Sequence, residues 1–140
     1  MESVLKQRGE KAPLNIALGI IFDTEKRKIL IAKRKNKTNI TGLTWCFPGG
    51  RVAYEKDLEK ELRNKIKDKT GFEVESLGSI FAETHFNNGA LLSIYYLCEL
   101  VGGKEKRDEE FDEIKWISPE DIGNFFEVNS GLKEYLMSLK

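Results

Sequence analysis

Residues 44–74, TWCFPGGRVAYEKDLEKELRNKIKDKTGFEV, restrict the fold more than any other stretch of the chain. Leu58, Leu62 and Ile66 recur every four residues, which gives a helix one apolar stripe and obliges it to lie on something. Asp57 stands where a side-chain oxygen can cap the first turn. Gly71 stands where the chain can leave the helix through positive φ without a Cβ penalty. Ahead of the helix, Trp45-Cys46-Phe47-Pro48 is aromatic and strand-like, and Gly49-Gly50 reads as a turn. The expected order is strand, glycine loop, helix, then a second strand from about Val74. A bare backbone at Gly49-Gly50 lets a bulky ligand, typically a phosphate, approach the main chain.

The flanking chain supplies the sheet for that helix. Residues 1–13 are polar and close at Pro13; they read as a short helix or a loose segment. Leu14 to Phe22 is an apolar run with Gly19 inside it, read as a mostly buried strand. Asp23 to Lys26 has turn composition, and Lys28 to Ala32 returns as the second strand of a hairpin. It runs into a basic cluster, Lys33 to Lys37, which is either a solvated strand end or a basic lip. Residues 73–86 read as a broken strand through Leu77, Ile80 and Phe81, and Asn87-Asn88-Gly89 as a turn. Leu91 to Leu100 is apolar on both faces, too much so for a surface strand. After the polar loop Val101 to Asp108, Glu113 to Ile117 alternates as a strand. Ser118-Pro119-Glu120-Asp121 has the composition of a helix start. A last helix is expected from about Gly131 to Leu139, with Leu132, Tyr135, Leu136 and Leu139 on one face. Strands, helix, strands, helix amounts to an α+β layering with a mixed sheet between helices.

At 140 residues one domain is expected, long enough for a sizeable core. Lys plus Arg balance Asp plus Glu at 23 each, so no global basic field recruits nucleic acid or a membrane. No apolar run approaches the roughly 20 residues a membrane span needs. The first 13 residues lack a signal-peptide core. Cys46 and Cys98 sit in apolar strand-like runs, so reduced core thiols and a cytoplasmic setting are expected, with a disulfide the lesser alternative.

The frame from Gly50 to Phe72 resembles the Nudix (MutT-like) box: Gly, five residues, Glu, seven residues, then Arg-Glu-aliphatic-x-Glu-Glu-x-Gly-aliphatic. Gly50, Ile66 and Gly71 match it without a gap, and Phe72 gives the closing hydrophobic residue. The charged positions differ. Lys56 stands for the first Glu, Asn64 for the Arg, and Lys65, Asp68 and Lys69 for the three Glu that follow. Glu55 stands one residue early of the first. The likeness runs from about Leu14 to Phe126 and includes the Trp-x-x-Pro-Gly-Gly start and the Trp116-Ile117-Ser118-Pro119 exit. It implies a Nudix-type α/β/α sandwich and, by relation, a Mg²⁺- or Mn²⁺-dependent pyrophosphohydrolase of nucleoside diphosphates linked to another moiety. Homodimers occur in the family. Its members often place an Arg at the end of the second strand near the ligand, which here is Arg34.

Chemistry of that kind needs carboxylates to hold a hard cation. At about 100° per residue, positions 65, 68 and 69 lie within roughly one 100° arc of the helix. That arc carries Lys65, Asp68 and Lys69. A protonated lysine donates three hydrogen bonds and accepts none, so it is no metal ligand. One reading is a solvated helix laced with ion pairs, Glu61 pairing with Lys65 four residues on. A sharper one has the ammonium groups of Lys65 and Lys69 meet phosphate oxygens in place of the metal, with no cofactor and with hydrolysis weak or absent. Gly49, Gly50, Arg51 and Arg34 would line the phosphates, and Asp68 is the surviving box ligand. Two alternatives stand beside it. One is a non-catalytic nucleotide-binding or protein-interaction module. The other is a hydrolase that recruits its metal through Glu83, Glu109, Glu110 or Glu113. His85 is expected as a surface or turn residue, with a ligand contact the lesser alternative. Trp45, Phe47, Tyr95, Tyr96 and Trp116 are expected in the core, with Phe47 or a residue near Phe86 able to stack a base.

Overall fold

Strand β6, Leu91–Gly103, is apolar on both faces because it is an interior strand. It pairs in parallel with β1 (Leu14–Asp23) and antiparallel with β5 (Phe72–His85). The computed structural model describes residues 14–35, 45–53, 57–85 and 91–139. The segment 1–13, the Lys37 end of the basic cluster, Glu55, Lys56 and the Asn87-Asn88-Gly89 turn lie outside those residues.

The β1–β2 hairpin forms, with Asp23 Oδ1 accepting from the amides of Glu25 and Lys26 to shape its turn. It is paired at its tip alone, Phe22 opposite Ile29 and Asp23 opposite Lys28. Beyond the tip β2 (Lys28–Arg34) parts from β1. It takes β3 (Trp45–Cys46) and β7 (Phe111–Ile117) as partners, while β1 takes β4 (Gly49–Arg51). The glycine pair is therefore not a loop. It is strand, with Gly49 opposite Leu18 and Gly50 opposite Ala17. Gly49 sits at φ 149°, and a Cβ there would run into the Ala17 carbonyl oxygen.

Helix α1, Leu58–Thr70, starts and stops where its signals stand. Asp57 accepts from the Lys60 amide at 3.1 Å, and Gly71 takes φ 80° with its N–H bonded to the Lys67 carbonyl. Its stripe puts Leu62 and Ile66 against Ala17, Ile21, Val74, Tyr96 and Cys98 on one face of the sheet. Each such side chain contributes on the order of 1.5–3 kcal/mol by leaving water. The period-two alternation of β1 sends Ile20 and Phe22 to the opposite face. There they meet Leu132 and Leu136 of α2, Ser130–Met137. The result is the α/β/α sandwich expected, with α1 and α2 on opposite sides of a mixed sheet. The Ser118-Pro119 start opens a six-residue 3₁₀ turn, Pro119–Asn124, rather than an α-helix, and the Ser118 hydroxyl makes no capping bond. Asn129 caps α2 by accepting from the Gly131 amide.

Candidate functional site

Three elements meet where β4 crosses under the last turn of α1. Strand β4 is pinned to β1 on both sides of its glycines, Gly19 N–H to Pro48 O at 2.8 Å and Val52 N–H to Asn15 O at 3.0 Å. Its bare Cα atoms then form a floor on which α1 side chains rest. A Cβ built on Gly50 would lie 3.2 Å from Lys69 Nζ and 3.5 Å from Lys65 Cδ. Lys65 and Lys69, one turn apart, thus both lean over the glycine strand instead of into solvent. Asp68, on the neighbouring helix position, is exposed and makes no hydrogen bond or ion pair among the described residues. The structure brings the two lysines together and leaves the surviving box acid outside.

The Lys69 ammonium is the centre of the site. It donates to Gly49 O at 2.7 Å and lies 3.1 Å from Glu110 Oε2, with its side chain 19% exposed. A carbonyl and a carboxylate oxygen are the donor set a hard cation takes. Here an ammonium holds it. Glu110, weighed from sequence as a metal ligand, has this counter-ion beside it. Its backbone is fixed by Lys35 N–H to Glu110 O at 2.9 Å. The loop leading to it is stitched to the helix end by Lys106 N–H to Thr70 O and Asp108 N–H to Lys69 O. Position 110 is thereby set by α1 itself.

The Cys46 thiol donates to Ala32 O at 3.6 Å, and Arg34, at the end of β2, lies near enough for its charge to act on it. Burial pushes that thiol above its ordinary range against the opposing field of Arg34, with Glu110 adding to the rise and Lys69 to the fall. The thiol is therefore a poor nucleophile, and its surroundings tie Arg34, Cys46, Lys69 and Glu110 into one cluster. Lys69 faces the Glu110 carboxylate, with Lys65 beside it over Gly50 and Arg34 near Cys46, so these cations outnumber that carboxylate and favour anions.

The remaining candidates lie apart. Arg51 is exposed on β4, and Glu109 and Glu113 are exposed beside and on β7. Glu83 accepts from Tyr95 OH at 2.9 Å, which together with burial raises the tyrosine's pKa. Glu61 forms no ion pair with Lys65. Its Oε2 is buried and without a hydrogen-bond partner among the described residues. Phe47 is 3% exposed and packed edge-on against Tyr95 and Phe126, so it presents no face for stacking. The His85 side chain lies outside the described residues. Both cysteines are free, Cys98 buried and Cys46 half-buried.

A divalent metal does not fit this donor set. Among the described residues no three His, Cys, Asp or Glu side chains come together, and an ammonium occupies the oxygens nearest the glycine strand. The sequence singles out Lys65, Lys69 and Arg34 as candidates, and the partnership of Lys69 with Gly49 O is not among its signals. No residue pattern encodes a contact to a main-chain carbonyl 20 positions away.

Comparison with known proteins places this geometry. The profile described as NUDIX domain matches residues 13–139. Human nucleoside diphosphate-linked moiety X motif 6 is 34% identical over 86 residues, 59% of this chain and 26% of that protein. An 8-oxo-dGTP diphosphatase of Buchnera aphidicola subsp. Schizaphis graminum is 35% identical over 60 residues, 43% of this chain and 44% of that one. The matched stretches thus span less than half of either relative. Among solved structures, a MutT protein from Methanosarcina mazei superposes with TM-score 0.73 at 18% identity, covering 93% of this chain and 94% of that one. The E. coli ORF135 protein gives 0.71 at 21%, covering 94% and 93%. At these identities the structural likenesses speak to the fold. Among the described residues no helix is long and apolar enough to cross a membrane.

Proposed function

The chain belongs to the NUDIX domain family, and from that premise we propose that it binds the diphosphate of a nucleotide derivative without a divalent metal, with hydrolysis weak or absent. The observation that carries this reading is the Lys69 ammonium between Gly49 O and Glu110. A lysine has three N–H donors, and those two oxygens take two. The third, with the Lys65 ammonium and the Arg34 guanidinium, is available to phosphate oxygens above the Gly49-Gly50 floor. The Lys65 and Lys69 side chains rest on the bare backbone of Gly50, so a phosphate there would meet their ammonium groups rather than the main chain. Charge-assisted hydrogen bonds of this kind are roughly twice as strong as neutral ones.

Binding and turnover separate on this account. The lysines neutralise phosphate charge as a metal would, but an ammonium does not turn a bound water into hydroxide at neutral pH as a metal does. No residue of the cluster is a free base: Glu110 is paired, and the Cys46 thiol is held protonated by burial. The names of the relatives, a nucleoside diphosphate-linked moiety protein and a diphosphatase, support a nucleotide-like ligand. The test is calorimetric titration of ADP-ribose and ADP with EDTA and with Mg²⁺, alongside a phosphate-release assay. Equal affinity in both media with negligible turnover supports the reading. A strict Mg²⁺ requirement, or brisk hydrolysis abolished by Asp68→Ala, overturns it in favour of a metal-dependent hydrolase.

A further inference from the structure

We propose that the outer face of the β5–β6 hairpin is a docking surface for a protein segment carrying a lysine or arginine between aliphatic side chains. It lies on the face of the sheet away from α1 and does not depend on the diphosphate site. The antiparallel register sets Glu75 directly opposite Glu99. Two carboxylates facing each other across a ladder repel, and sheets ordinarily relieve this with a cation. Here neither glutamate has an ion pair or side-chain hydrogen bond among the described residues.

The same face carries Leu77 at 58% and Val101 at 54% exposure, the two large hydrophobic side chains that the described surface leaves open. Val101 is two residues on from Glu99 and Leu77 two on from Glu75, at the two register shifts that flank the Glu75–Glu99 pair, so the two hydrophobic residues bracket the glutamates along the hairpin. Helix α2 does not cover them. It packs Leu132 and Leu136 over Phe22, the β1 partner of Glu99. The cover ends where Arg27 caps the Phe22 ring and donates to Leu139 O. A cavity of about 310 Å³ beside the patch is bordered by Asp23, Glu25 and Val101, which extends the acidic rim.

The charge selects the occupant. Anionic lipid headgroups and nucleic acid are repelled. A second copy of this chain would set glutamates against glutamates. A lone metal ion would leave Leu77 and Val101 in water. A segment with a cation between two aliphatic side chains neutralises Glu75 and Glu99 and covers both apolar residues, which is the complementarity that interfaces use.

The test uses fluorescence anisotropy with the labelled peptide Lys-Thr-Leu-Thr-Lys-Thr-Leu, which as a strand presents lysine and leucine on one face, and the same peptide with glutamate for lysine. The lysine peptide is expected to bind the intact protein and the glutamate peptide not. E75Q/E99Q and L77S/V101S should each weaken binding about fivefold or more, whereas E109Q/E113Q, acids removed elsewhere, should leave it unchanged; fivefold is about 1 kcal/mol by the tenfold-per-1.4 kcal/mol relation. Unfolding midpoints should hold, or rise for E75Q/E99Q as the facing charges are relieved. No binding by the wild type, equal binding of both peptides, or equal loss in the control pair would overturn the proposal. None of these outcomes bears on the diphosphate site, which the EDTA titration addresses separately.

Discussion

Lys69 is the residue on which the account turns, because it holds the Gly49 carbonyl and the part-exposed Glu110 carboxylate and is the cation proposed to meet the ligand. Replacing it with Met keeps the aliphatic chain and removes the donors. K69M should lower affinity for ADP-ribose by about 10- to 100-fold, since hydrogen bonds to charged groups contribute roughly 1.5–3 kcal/mol. It should also destabilise the fold by about 1–3 kcal/mol, because Gly49 O and Glu110 lose their partner. Calorimetry and urea unfolding read the two effects separately. Asp68→Ala should change neither, being exposed and unpaired among the described residues. Gly49→Ala is different in kind: its Cβ meets the Ala17 carbonyl at a φ of 149°, so β4 must leave β1. That variant should lose both cooperative unfolding and binding.

At the scale of elements, α1 was legible in the sequence to the residue, because its stripe and both caps are local signals. Asp57→Ala should cost about 1 kcal/mol of unfolding free energy, the usual worth of an N-cap, with the urea midpoint as the readout. Strand β4 was not legible. Two glycines carry no alternation, and what makes them strand is the neighbour, β1, which reaches them only after parting from β2. The Pro119 segment opens a helix where its composition places one, but as a six-residue 3₁₀ helix without a side-chain cap bond, after which Phe125 and Phe126 fold back onto Trp45 and Phe47. The strand β5 was expected as broken. It is continuous, and the irregularity appears as register shifts between Ser76 and Phe81 rather than as a gap.

For the molecule as a whole, the sandwich was foreseen from the order of elements, and the family frame gave the positions of Lys65 and Lys69. The cluster of Arg34, Cys46, Lys69 and Glu110 was not, since two strands, a helix and a loop bring it together and no spacing in the chain records that. The apolar core also sets a pH limit. Burial raises the Cys98 thiol from its ordinary value of 9.0 to about 12, with Glu59 adding to the rise. Between those values the unfolded chain releases the proton and the folded chain keeps it, so fewer protons are bound unfolded and stability falls as pH rises. Urea midpoints should drop from pH 9 towards pH 12, and Cys98→Ala should flatten that slope while lowering stability throughout. The central claim, that side-chain cations hold the diphosphate where a relative would use metal, is met most directly by one measurement. Titrating ADP-ribose into the purified protein in EDTA, and again in Mg²⁺, should give the same dissociation constant. Binding that vanishes in EDTA and returns with Mg²⁺ would contradict it.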